Sequence, residues 1–211
     1  MSKLPVTTVA ITGTDDAYGK SLAESFRAQA EAVGLQVVFY EIYPLDLADM
    51  SSIISRIKAL SPDVYINSGH PPNHVVAVKN SVELGFNPKI FLMHWGVDTA
   101  DYLDPLGALS NNTIGVTMWL PTAKYADPVF GNSTNFADEF ETRYGIVPDY
   151  TSAGCAGTGV FVQQVLEQSG ITPPFDDAKR AQFKAALEQV TATNLMGPWK
   201  FSTDTASWHV N

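Results

Sequence analysis

Cys155 is the single cysteine among 211 residues. One thiol excludes an intrachain disulfide and a cysteine-based zinc site. Positive charge is scarce too: 13 Lys and Arg stand against 22 Asp and Glu, a formal net charge of −9. Nucleic-acid binders need clustered cations, so no nucleic-acid partner is expected. No run approaches the ~20 apolar residues that a membrane-spanning helix requires. The opening Met1-Ser2-Lys3-Leu4-Pro5 has neither an apolar core nor a small-residue cleavage site, so no secretory signal is read in it. Catalytic signatures are missing as well: there is no G-x-S-x-G elbow, no H-E-x-x-H and no Cys-His pair near one turn. Cys155, between Gly154 and Ala156, reads as a packing residue. The expectation is a protein that binds rather than catalyses, and that uses no cofactor.

What is present is a regular alternation of strand and helix. Val6 to Thr12 is β-branched or apolar at nearly every position, as a strand buried on both faces should be. A helix follows with Leu22, Phe26, Ala30 and Val33 on one face, stopped by Gly34. Val37 to Glu41 is a second strand. Asp49 caps a helix carrying Met50, Ile53, Ile54, Ile57 and Leu60 at helical spacing. Val64 to Asn67 is the third strand. Asn73 then opens a helix with Val75, Val78 and Val82 inward. Ile90 to Met93 is the fourth strand and Thr113 to Trp119 the fifth, with a short acidic segment, Asp98 to Leu109, between them. Short strand-helix-strand connections make a parallel sheet with helices on both faces, a doubly wound α/β layer. After Leu120-Pro121 the pattern changes to three helices, Phe136 to Tyr144, Ser152 to Gln168 and Asp177 to Val190, with a closing hairpin at Met196 to Phe201. The expected division is residues 1–120, the parallel α/β part, and residues 121–211, the appended helical part.

Ligands of doubly wound sheets meet the carboxyl ends of the strands. That places the candidate chemistry in three turns: Gly13 to Gly19, Ser68 to Pro72 and His94 to Asp98. The first turn is not a P-loop. It has five residues between its glycines where the motif has four, and Asp15 and Asp16 put negative charge where phosphates would sit. Asp as a helix cap is the plainer reading. In the second turn Gly69 lets backbone approach a ligand, and His70 lies at a strand end. In the third turn Trp95 offers a flat stacking surface, though a partly buried tryptophan accounts for it equally well. His70, His74, His94 and Asp98 are candidate metal ligands, but Pro71 and Pro72 are expected to spoil the i, i+4 alignment of the first two, so no metal is expected.

Four segments in order resemble the type I periplasmic-binding fold, and most closely the leucine/isoleucine/valine-binding receptors of ABC transporters. They are VAITGTDDAYGKSLAESFRAQAEAVGLQVV, DMSSIISRIKALSPDVYINSGHPPNHVVAVKNSVELGF, YTSAGCAGTGVFVQQVLEQSG and TATNLMGPWKFSTD, together running from Val9 to Asp204. The resemblance implies that residues 6–120 are lobe two, with strand order 2-1-3-4-5. Residues 122–200 would be the C-terminal share of lobe one without its sheet, so the chain is expected to be part of a longer protein. The implied function is capture of an amino acid or similar small polar solute in an interlobe cleft, for ABC transporter membrane subunits, by a parent protein that is periplasmic or extracellular. The implied ligand-binding residues are Tyr18, Ser68, Gly69, His70, His94 and Trp95. Family members carry an aromatic residue at the position of His70, where a histidine marks a more polar ligand, and an acidic group near His94 and Trp95, without which the family's ammonium contact is not carried over. A ligand-sensing domain of a regulator or receptor, or a flavodoxin-like enzyme, would share the fold.

The helices after residue 121 carry apolar stripes, Phe136, Phe140 and Tyr144 on one and Val162, Val165 and Leu166 on another. Without a sheet to cover them they are expected to expose an apolar patch, to self-associate, or to be poorly ordered, since each exposed side chain forgoes about 1.5–3 kcal/mol.

Overall fold

A computed structural model describes residues 5–201 and the backbone of 208–210. It divides into two compact units, residues 1–117 and 118–211.

The first unit is a five-stranded sheet of β1 (Thr8–Thr14), β2 (Gln36–Tyr43), β3 (Val64–Ser68), β4 (Ile90–Trp95) and β5 (Ile114–Val116). Its order is β2-β1-β3-β4-β5 and every pairing is parallel, so the expected topology is found. Alternation of side chains divides the core in two. Val9, Ile11, Val64 and Ile66 pack with Ala23 and Ala30 of α1 (Ala17–Ala32) on one face. Ala10, Tyr65, Phe91 and Met93 pack on the other face with α2 (Ser51–Leu60), α3 (Pro71–Glu83) and α4 (Ala100–Leu106). The helical stripes run slightly longer than the contact they make. Val33, Leu60 and Val82 are exposed, each in the last turn of its helix or just beyond.

Three expectations need correction. The helix expected from Asn73 begins at Pro71, with His70 as its N-cap, because proline at the first helical positions has the right φ and gives up no needed N–H. The prolines therefore start the helix rather than spoil it: the His74 N–H reaches the His70 carbonyl at 3.0 Å. His74 turns into the core, fully buried, and among the described residues no group of three or more His, Cys, Asp or Glu is placed to hold a metal. The segment 98–109 is α4 with a 3-10 turn, Gly107–Asn112, anchored by buried Tyr102 and Leu106 four residues apart. The fifth strand is three residues rather than seven. Thr117 bonds the Asp98 carboxylate at 2.7 Å, and Trp119 belongs to the core of the second unit.

The second unit opens with a small hairpin, β6 (Ala126–Asp127) and β7 (Gly131–Asn132). Then come α5 (Ser133–Tyr144), α6 (Tyr150–Ser169) and α7 (Asp177–Gln189), each capped by an Asn or Asp side chain. Last is an antiparallel sheet in the order β10-β9-β8, from β8 (Thr191–Asn194), β9 (Gly197–Phe201) and β10 (Trp208–Val210). This sheet changes the expectation for the apolar stripes. Phe136 and Val165 are buried in a core with Trp119, Phe161, Ala192, Leu195, Met196 and Trp199, so part of each stripe finds its cover within the unit. Tyr144, Ile146 and Val147 remain exposed.

Candidate functional site

Because β1, β3 and β4 are parallel, their carboxyl ends lie on one side of the sheet. Three turns follow from those ends, and local chemistry fixes each. In the first, Asp16 caps α1: its Oδ1 accepts from the Gly19 N–H and the Thr14 hydroxyl, both at 2.8 Å. Gly19 is required there, since a Cβ would fall on the backbone of Thr14. That turn sets Tyr18 on the first turn of α1, 37% exposed. In the second, the Asn73 side chain accepts from the His70 N–H at 3.2 Å and donates to the Leu45 carbonyl at 2.7 Å, which ties the start of α3 to the segment after β2. In the third, β4 carries on through His94 and Trp95, and Thr99 closes the turn by donating to the Gly96 carbonyl at 2.7 Å.

The side chains meet across the turns. His70 Nε2 lies 2.9 Å from Asp16 Oδ2, joining the N-caps of α1 and α3. The Tyr18 ring is 5.1 Å from the His70 ring, tilted by 33°. On its other side Tyr18 approaches His94, with ring centroids 6.5 Å apart and its hydroxyl 3.4 Å from Nδ1. His94 is buried, with Phe26 edge-on at 5.1 Å, and Trp95 stands perpendicular to it at 5.5 Å. Tyr18, His70 and half-buried Trp95 thus offer ring surface at the edge, and His94 lies below as support. Ser68 is fully buried, and Gly69 is pressed against Asn73 and Tyr43.

Electrostatics follow from these contacts. The hydrogen bond from His70, then that from Gly19, holds the Asp16 carboxyl down at about 2, below the usual range. Burial pushes His94 down to about 4, so its imidazole is neutral at pH 7. Beneath the edge is a polar network sealed from solvent. Asn67 Oδ1 accepts from the hydroxyls of Tyr43 at 2.8 Å and Thr12 at 3.2 Å, and Thr12 also meets the Tyr65 hydroxyl at 2.9 Å.

Asp16 is the member that sequence reasoning did not place in the site. It was legible as a helix cap, but its bond to His70 spans 54 residues and leaves no local signal. A hollow of about 370 Å3 in the second unit, lined by Phe130, Phe136, Phe140, Arg143 and Tyr144, contains none of the expected residues.

A family profile described as periplasmic binding protein matches residues 1–209. The Leu/Ile/Val-binding protein homolog 7 of Brucella melitensis is 23% identical over 192 residues, covering 90% of this chain and 47% of that protein. A crystal structure of the leucine-, isoleucine-, valine-, threonine- and alanine-binding protein of Brucella ovis superposes with a TM-score of 0.80 at 17% identity, covering 96% of this chain and 50% of that one. The solute-binding protein of an ABC transporter from Rhodopseudomonas palustris, solved with 3,4-dihydroxybenzoic acid, superposes with a TM-score of 0.74 at 18% identity over 96% of this chain and 54% of its own. The chain spans about half the length of the relatives it matches. Topology and profile agree along almost the whole sequence, and the chain belongs to the periplasmic binding protein family.

Proposed function

We propose that this chain is the solute-capturing part of an ABC importer's binding protein, working outside the cytoplasmic membrane, and that the carboxyl edge of β1, β3 and β4 is one wall of its solute site. Residues 1–120 act as lobe two, and residues 121–211 act as the C-terminal share of lobe one. The solute is an amino acid or an organic acid of similar size, the two classes named for the relatives above. The role is binding and delivery to the transporter's membrane subunits, and no bond in the solute is made or broken.

The observation that carries this reading is the convergence of Tyr18 and His70, from turns 52 residues apart in sequence, to ring centroids 5.1 Å apart. Tyr18, His70 and Trp95 contact the solute through their exposed ring surfaces. Ser68 and Gly69, both buried, hold the end of β3 beneath these rings. His94 supports Tyr18 from below. A membrane-anchored or DNA-bound sensor could use the same wall, but nothing in these residues favours that reading.

A thermal-shift panel tests the assignment, since a solute that binds the folded chain raises its Tm. Amino acids and small carboxylic acids are screened against the unsubstituted chain, Tyr18→Ala and His70→Ala. One solute class should raise Tm in the unsubstituted chain and lose most of that rise in both variants. A rise of the same size in all three proteins contradicts the site.

A further inference from the structure

Trp95 reaches the wall through an irregularity in the sheet. From Leu92 to Trp95 strand β4 advances three residues, while its neighbour β5 advances two, from Ile114 to Val116. The extra residue is a bulge, which raises the local twist and re-aims the side chains that follow. Trp95 is where pairing resumes, opposite Val116. A bulge stays in place only if its surroundings hold it, and the segment of β5 supplies two holds on the turn beyond. Val97 sits in a notch at Gly115, where a Cβ would collide with both Val97 methyls and stand 2.9 Å from the Met93 carbonyl oxygen. One residue further on, Asp98 Oδ2 accepts from the Thr117 hydroxyl at 2.7 Å, between positions 19 apart in sequence. Asp98 Oδ1 is buried with no partner among the described residues, so the carboxylate leans on the Thr117 bond.

Resting on the proposed solute site, we infer that Asp98 and Thr117 are a positioning pair for Trp95. Neither touches the solute. Their bond ties the end of the third turn to the segment just past β5, and the Val97 contact at Gly115 ties its middle. Trp95 is thereby held between the bulge and these two attachments. Without the bond the bulge is free to slide, and a one-residue slip of β4 against β5 would turn Trp95 to the opposite face of the sheet. The pair matters for binding because a ring already in place needs no further ordering when solute arrives.

Thr117→Val removes the hydroxyl and keeps the shape, and Thr117→Ser restores the hydroxyl. Isotope-labelled chains are first compared without solute. In Thr117→Val the Trp95 indole N–H resonance should move, and amide exchange in residues 95–98 and 114–116 should quicken about 10-fold. Amides of residues 13–19 and 68–72 should stay as they were, and Thr117→Ser should restore both readouts. Gly115→Ala crowds Val97 and leaves the bonded pair intact, so it should move the Trp95 resonance by a second route. It carries the test if Thr117→Val does not fold. The dissociation constants of leucine and benzoate are then measured. A probe whose binding depends on Tyr18 should bind about 3- to 10-fold more weakly in Thr117→Val and recover in Thr117→Ser. A Trp95 resonance that stays in place in both Thr117→Val and Gly115→Ala overturns the positioning role. So does a resonance that moves while binding of such a probe is unchanged. If neither probe binds, or if binding ignores Tyr18→Ala, the solute site falls instead, and the solute-free spectra alone decide whether the pair positions Trp95.

Discussion

His70 Nε2 sits 2.9 Å from Asp16 Oδ2, so the residue that caps α3 is bonded to the residue that caps α1. Two of the three turns at the carboxyl edge are thereby locked to each other, with the Tyr18 ring lying against the lock. Asp16→Ala removes a helix cap and leaves His70 without its partner. A destabilisation of about 1–2 kcal/mol is expected in denaturant unfolding. Asp16→Asn keeps a capping oxygen and should cost less, while weakening solute binding through a displaced His70.

The same pair sets an acid response. Asp16 is held at about 2 when folded, below the value it takes in an unfolded chain. A carboxyl lowered in this way contributes stability that is complete above the unfolded value and is lost as pH falls through the folded one. Unfolding midpoints measured from pH 5 to pH 2 should therefore drop most steeply between about pH 4 and pH 2. Asp16→Asn should have a shallower profile across that window, and identical profiles would contradict the pairing.

The buried histidines act at higher pH. Burial pushes His74 to about 3, with His94 and His70 nearby adding to the effect, and burial pushes His94 to about 4. Both rings are neutral in the folded protein, whereas the unfolded chain takes up protons near its ordinary histidine value of about 6.5. Stability from this source is complete above that value and declines as pH falls, for His94 down to about 4 and for His74 to about 3. Replacing fully buried His74 with Phe should remove a slope of up to about 1.4 kcal/mol per pH unit between pH 6 and 4. Equal slopes in the two proteins would mean that His74 titrates normally.

Gly69 is a tight point beneath the second turn. A Cβ there would stand 2.9 Å from both the Asn73 Cβ and the Tyr43 hydroxyl oxygen. Gly69→Ala should destabilise by about 1–3 kcal/mol, as overpacking does. Tyr43→Phe alone should cost about 1 kcal/mol through the lost bond to Asn67. The double variant should be less destabilised than the sum of the two, because removing the hydroxyl makes room for the methyl. Simple additivity in unfolding experiments would show that the contact relaxes elsewhere.

The parallel sheet was legible because each strand is a short apolar run closed by Gly, Pro or Asp, and because the helices between them carry apolar residues at helical spacing. Legibility failed where a run crossed a boundary. Thr113 to Trp119 is continuously strand-like, yet Ile114 and Val116 stop at the sheet edge and Trp119 serves another core. It also failed at α4, where Pro105 and two aspartates hid a seven-residue helix whose signal was Tyr102 and Leu106. At the candidate site the turns could be located from strand ends, but the division of labour within them could not. Burial of His94 and half-burial of Trp95 depend on β4 running two residues past Met93, which fixes the face each takes. The Asp16–His70 bond exists only once β1 and β3 are neighbours.

The central claim is that solute meets the chain at the carboxyl edge of β1, β3 and β4. Chemical-shift mapping tests it most directly: amide spectra of the isotope-labelled chain are followed as the amino acids and small carboxylic acids of the thermal-shift panel are added. The account predicts saturable shifts concentrated in residues 13–19, 68–72 and 94–98. Shifts confined to other segments, such as those lining the hollow between α5 and α6, or no saturable shifts at millimolar solute, would contradict it.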